Sequence, residues 1–128
     1  MAGQLTISTL SDGVNSTSST NCIQGSAKAW VNFNGVTTAT IRASYNVSSI
    51  TRNGTGDYTV NFTNAFADTN YAFVATGQRN DAVNPRAMVA AMGSSTYVYT
   101  TTTIRFKTTP NDSAGAEDSL TMSVAVFR

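Results

Sequence analysis

The sequence predicts an all-β domain, an antiparallel and jelly-roll-like β-sandwich preceded by an extended N-terminal arm. Three observations carry this. Apolar side chains alternate with polar ones from Gly25 to Phe62, a period of two that only extended chain produces. Asn-Gly pairs at Asn34-Gly35 and Asn53-Gly54 punctuate the runs, and these residues tolerate the positive φ angles of tight reversals. Charged residues make up only 12% of the chain, against about 25% in an average soluble domain, and Thr, Ser and Asn take their place. The branched Cβ of Thr suits pleated strands, while Ser and Asn suit turns.

Residues 1–24 form the arm. LTISTL is a short alternating run, and SDGVNSTSSTN after it holds almost no core material. Leu5, Ile7 and Leu10 are the arm's candidate contacts with a neighbouring subunit or another protein. Residues 25–128 form the sandwich, a length able to bury well over half of its unfolded surface as one domain.

Within the sandwich, Ala27, Ala29, Val31 and Phe33 lie on one side of the first strand and Lys28, Trp30 and Asn32 on the other. Trp30 therefore fills a second buried face or a subunit contact. After the Asn34-Gly35 turn, an extended run from Val36 to Ala43 leads into Tyr45 and Val47. The period resumes after Arg52-Asn53-Gly54-Thr55-Gly56 with Tyr58, Val60 and Phe62.

Tyr71, Phe73 and Ala75 alternate with Ala72, Val74 and Thr76, and neither side is strongly polar. A central strand covered on both sides is expected there. GQRNDAVN, from Gly77 to Asn84, reads as a polar loop. PRAMVAAMG has a helix-like frame of Asn84, Pro85 and Gly93, yet so short a helix is marginal, and strand is the preferred reading. From Tyr97 to Thr109 the alternation changes parity around the Thr run, which predicts a bulge or bend. Leu120, Met122, Val124 and Val126 alternate with Thr121, Ser123, Ala125 and Phe127 in a final strand whose small outer side suits sheet packing or a subunit contact. Eight to ten short strands and no helix result, as in sandwiches and barrels.

The chemistry is sparse. The chain has no histidine, which removes the commonest general base and metal ligand. Asp112, Glu117 and Asp118 crowd one loop; a carboxylate pair could serve glycoside cleavage, but an acidic turn between strands is ordinarily solvated, and no enzyme is expected. No calcium-loop spacing occurs, so no metal or cofactor is expected. Ser26 and Lys28 share a strand side without oxyanion donors. The Asn-x-Ser/Thr sites at Asn46, Asn53 and Asn61 follow from composition, and Cys22 has no partner for a disulfide.

Net charge is +1 and scattered, which argues against nucleic acid. No apolar run approaches the roughly 20 residues that span a bilayer, and the opening residues lack a secretory pattern. No membrane insertion is expected, and synthesis in a cytoplasm is. Sugar recognition without catalysis uses an aromatic ring with Asn, Asp and Arg around it. Arg79, Asn80, Asp81, Asn84 and Arg86 form the most polar loop, with Tyr97 and Tyr99 as candidate rings, and loops on a rigid β scaffold favour binding.

GSAKAWVNFNG, IRASYNVSSI and NGTGDYTVNFTNAFADTNYAFV together resemble a segment that recurs in virion proteins of tailed phages, especially tail-fibre-like proteins of marine and cyanobacterial phages. TTTTIRFKT, the acidic loop and SVAVFR are similar to the terminal hairpin of such proteins. The resemblance spans Gly25 to Arg128 and thins between Val83 and Thr96, so it carries no ligand residue over. It implies a virion protein of structural or receptor-binding type, trimeric, made in the host cytoplasm and assembled with other virion proteins. A bacterial surface glycan is the expected ligand, and a capsid decoration or connector is the alternative role.

Overall fold

The computed structural model describes residues 3–79, 87–91, 95–111 and 115–128. The arm folds into a small hairpin, β1 (Thr9–Ser11) against β2 (Ser16–Ser18). Asp12 shapes the turn, its carboxylate accepting from the Val14 and Asn15 N–H groups at 2.9 and 2.7 Å. A seven-residue helix follows, α1 (Ser19–Gly25). The sequence reading expected no helix. Its local signal is a cap: the Ser18 hydroxyl accepts from the Asn21 N–H at 3.1 Å. None of the arm's described residues is buried.

The body comprises β3 (Ala27–Asn34), β4 (Thr40–Tyr45), β5 (Val47–Gly54), β6 (Asp57–Phe62), β7 (Ala72–Arg79), β8 (Ala87–Ala91), β9 (Thr103–Pro110) and β10 (Ser119–Phe127). They form one sheet in the order β4-β3-β10-β7-β8-β9-β6-β5, antiparallel at every step. The all-β expectation holds, in the form of a single sheet curled nearly into a barrel. Its edge strands, β4 and β5, are consecutive in the chain and joined through Asn46. Asn46 takes a φ of 54°, which Asn tolerates better than most residues. Its Oδ1 accepts from the Asn64 N–H at 2.8 Å, and its amide donates to Lys28 O at 3.1 Å. This tie draws the two edges of the sheet together.

The inward residues keep the predicted period of two: Ala29, Val31 and Phe33; Tyr58, Val60 and Phe62; Ile104 and Phe106; Met122, Val124 and Val126. Ring contacts join the two halves of the sheet. Phe33 of β3 meets Tyr58 of β6 with centroids 5.2 Å apart, and Phe73 of β7 meets Phe106 of β9 at 5.2 Å. Each buried ring contributes about 1.5–3 kcal/mol through area removed from water.

Several strand expectations are corrected. The run Val36 to Ala43 is a strand only from Thr40; residues 35–39 form a loop whose positive φ of 58° falls on Thr37. Gly35 is needed there because a Cβ would collide with the Tyr58 hydroxyl. Leu120 faces outward and Ser119 inward, because the register of β10 against β7 shifts between Ser119 and Thr121. β7 is covered on one side only: Ala72, Val74, Thr76 and Gln78 are exposed, since the described residues form no second layer outside the curled sheet.

Other expectations hold. Ala87–Ala91 is a strand. The parity change before Thr109 is a reversal in which Thr100 N–H donates to Thr103 O and Arg105 N–H donates to Val98 O. The second hairpin forms, but Asn53 and Gly54 stay within β5 and the tight turn falls at Thr55-Gly56, where Gly56 has a φ of 64°.

Candidate functional site

Alternating strand directions give the body two poles. The starts of β3 and β7 and the end of β10 lie together, since Ala27 and Ala72 both pair with Phe127. The arm enters at this pole. The opposite, distal pole carries the turns after β3 and β5, where the Gly35 N–H donates to Ser119 O and the Thr108 N–H donates to Gly56 O.

A polar knot closes the distal pole. Asp118 receives Arg52 in a two-point fork at 3.0 and 2.7 Å, and also the Gly56 N–H at 2.9 Å. The Tyr58 hydroxyl stands 3.0 Å from Asp118 Oδ1 and 3.1 Å from Gly35 O, and accepts from the Ser119 N–H at 3.2 Å. Burial pushes Asp118 toward a higher pKa, but the hydrogen bonds from Arg52, Gly56 and Tyr58 outweigh it and hold the carboxyl below its ordinary value. Burial pushes the Tyr58 phenol up to about 12. Thr108 and Ser119 are also fully buried; their hydroxyls donate to Glu117 O at 2.7 Å and Gln78 O at 2.9 Å. Among the described residues no buried side-chain polar atom lacks a partner.

Of the predicted ligand group, Asn80, Asp81, Asn84 and Arg86 lie outside the described residues, as does Asp112. Arg79 sits at the distal end of β7 with its guanidinium forked onto Glu117, 2.8 Å from Oε1. Tyr99 belongs to the other pole, packed edge-on against Tyr71 at 5.1 Å and near Phe73 at 6.5 Å. Tyr97 covers the Arg105 guanidinium at 5.7 Å, a cation–π contact. The structure therefore does not bring Arg79, Tyr97 and Tyr99 into one cluster.

The described carboxylates are occupied. Besides Glu117 and Asp118, Asp57 forks onto Arg105 at 2.9 and 2.8 Å, and Asp68 onto Arg128. Hydrogen bonding by Arg105 holds Asp57 below the usual carboxylate value, and hydrogen bonding by Arg128 does the same for Asp68. A carboxylate so held is a poor proton donor near neutrality. Lys28 does reach Ser26 Oγ at 2.7 Å, but the same ammonium donates to Ser26 O and Ile23 O. Among the described residues no three His, Cys, Asp or Glu side chains gather as metal ligands, and no helix is long and apolar enough to cross a membrane.

The remaining feature is a surface row. Tyr45, Trp30, Ala125 and Val74 are register partners across β4, β3, β10 and β7. All face outward, with Tyr45 59%, Val74 54% and Trp30 41% exposed. One strand on, Val89 of β8 pairs with Thr76 and is also exposed. Trp30 thus fills no second buried face. Leu5, Ile7 and Leu10 of the arm are exposed too, but they share no sheet with it. The sequence reading had singled out Trp30 and the small outer side of β10; Tyr45 and Val74 emerge only once the register places them beside it. The row is thus an apolar strip on the outside of the curled sheet.

Comparison of the chain with protein-family models, with curated proteins and with solved structures returns no match.

Proposed function

We propose that the chain is a structural protein of a tailed-phage virion, of tail-fibre or spike type, acting as a homo-oligomer that takes part in recognising a glycan on the host surface. The observation that carries this reading is the phage-like wording of Gly25 to Val74, GSAKAWVNFNG through NYAFV. The exposed row of Tyr45, Trp30, Ala125 and Val74 supports self-association, and a β body with the turns after β3 and β5 at its distal pole suits display of a weak site repeated by symmetry. The protomer number, three, comes from the resemblance. Synthesis in the host cytoplasm and residence in the virion belong to the same proposal.

The test has two parts. Light scattering of the intact protein should give the mass of a trimer, and the protein should compete with phage for adsorption to host cells or bind a glycan array. A trimer without cell or glycan binding removes the receptor role; a monomer at all concentrations removes the homo-oligomer.

A second reading, a capsid decoration or connector of purely architectural role, is favoured by one observation. Arg79, the described member of the proposed ligand loop, is already forked onto Glu117.

A further inference from the structure

We propose that Asn53-Gly54 is a self-modifying site, where the folded protein loses the Asn53 amide through attack by its own backbone, while Asn34-Gly35 is held unreactive. These are the two Asn-Gly pairs of the chain.

The chemistry needs only water and hydroxide. The Gly54 nitrogen, its proton lost to hydroxide, bonds to Asn53 Cγ; the Cγ–Nδ2 bond breaks, and Nδ2 leaves as ammonia with a proton from water. Water then opens the cyclic imide at either carbonyl to give aspartate or isoaspartate, and nothing is oxidised or reduced. Glycine after Asn favours the first step because no Cβ shields its nitrogen and its backbone turns most freely. Between two such pairs, the freedom of each peptide unit to swing toward the side chain decides.

The two pairs differ in that freedom. Gly35 belongs to the distal knot: its N–H donates to Ser119 O at 2.9 Å, its carbonyl lies 3.1 Å from the Tyr58 hydroxyl, and a Cβ there would run into Tyr58. Asn34 Oδ1 accepts from the Val36 N–H at 3.0 Å, and Asn34 keeps a register partner in Thr40. Attack at Asn34 therefore requires the knot to open. Asn53 is exposed, and the register of β5 on β6 steps from Arg52 opposite Tyr58 to Gly54 opposite Asp57. Asn53 is thus the extra residue of a bulge, with no residue opposite it. A Cβ at Gly54 would meet nothing within 4 Å. The side-chain bonds of Asn53, to Asp57 Oδ1 at 3.2 Å and Thr59 Oγ1 at 2.9 Å, both run through Nδ2, the atom that departs.

The product does not fit the place it is made. Aspartate at this position sets a carboxylate where the amide donated, facing Asp57, whose oxygens are already forked onto Arg105 at 2.9 and 2.8 Å. Thr59 can turn its hydroxyl to donate to the new group; the Asp57 carboxylate cannot. Like charges then push the modified side chain off the sheet toward solvent. The same event cancels the net charge of +1, and a chain without net charge associates and precipitates more readily.

Peptide mass spectrometry of the full-length protein, aged at mildly alkaline pH and read against an unaged sample digested alongside, follows both sites at once. Trypsin cleaves after Lys28, Arg42 and Arg52, so Asn34 lies in peptide 29–42 and Asn53 opens peptide 53–79. In the folded protein Asn53 should convert about tenfold or more faster than Asn34, because Gly35 must first give up its hydrogen bonds. In urea the two rates should converge. Gly54→Ala is accommodated, since the φ of Gly54 is not positive and a Cβ there has room; it should slow conversion at Asn53 by about tenfold or more with an unchanged circular dichroism spectrum. Conversion of Asn53 no faster than that of Asn34 in the folded protein, a rate ratio that persists in urea, or conversion that ignores Gly54→Ala overturns the proposal.

Discussion

The distal knot and the outward row are opposites. At the knot, Asp118, Arg52, Tyr58, Thr108 and Ser119 bring polar groups out of water, and every described one finds a partner within the chain. Along the row, Tyr45, Trp30 and Val74 leave apolar surface in water. The difference separates what the protomer completes alone from what it leaves open. Polar groups are buried only when bonded, so the knot specifies one fold; an apolar row on a strand face costs the single chain little.

The sharpest way to break this contrast is to open the knot. Asp118→Ala removes the acceptor for Arg52, Gly56 and Tyr58 and should lower stability by about 2–3 kcal/mol in urea unfolding. A loss below about 0.5 kcal/mol would mean the knot is ornamental. Tyr58→Phe keeps the ring and orphans the Ser119 N–H, and should cost about 1–2 kcal/mol.

Titration sharpens the contrast next. Asp57 and Asp118 have folded pKa values below the ordinary 3.8, so their contribution is present above that pH and drains away as pH falls through the lower folded values. Tyr58 and Tyr71, pushed by burial from 10 to about 12, favour the fold below pH 10 and withdraw that support between 10 and 12. Melting temperature against pH should fall at both ends, and phenolate absorbance should show two tyrosines ionising late. The smallest effect belongs to the row: Val74→Ser should change the stability of the dilute monomer by no more than about 0.5 kcal/mol. A larger loss would mean that the face is packed within the protomer.

The inward half of the fold was legible because burial of one strand side imposes a period of two, and Ala29, Val31, Phe33, Tyr58, Val60 and Phe62 obey it. The outward half was not. Val74 reads the same whether covered by a second layer or by water, and only curling of the sheet decides. The bulge that turns Leu120 outward leaves no mark in an otherwise regular alternation. Asn46 stood out only as an Asn-x-Ser site that follows from composition, yet its left-handed backbone links the two edge strands and its side chain bonds to Lys28 of β3 and Asn64 beyond β6. The knot was hidden because its members are far apart in sequence: Arg52 and Asp118 are 66 residues apart. Arg79, Tyr97 and Tyr99 matched a recognition chemistry by type, but type does not give position, and the antiparallel order sends Arg79 and Tyr99 to opposite ends.

Phe127 lies beside Ala27, and this makes the protomer a one-ended handle. An affinity tag or carrier fused behind Arg128 would emerge beside Asp68, at the pole opposite Gly35, Gly56 and Glu117. Immobilising the protein through that fusion would present those distal residues to whatever flows past.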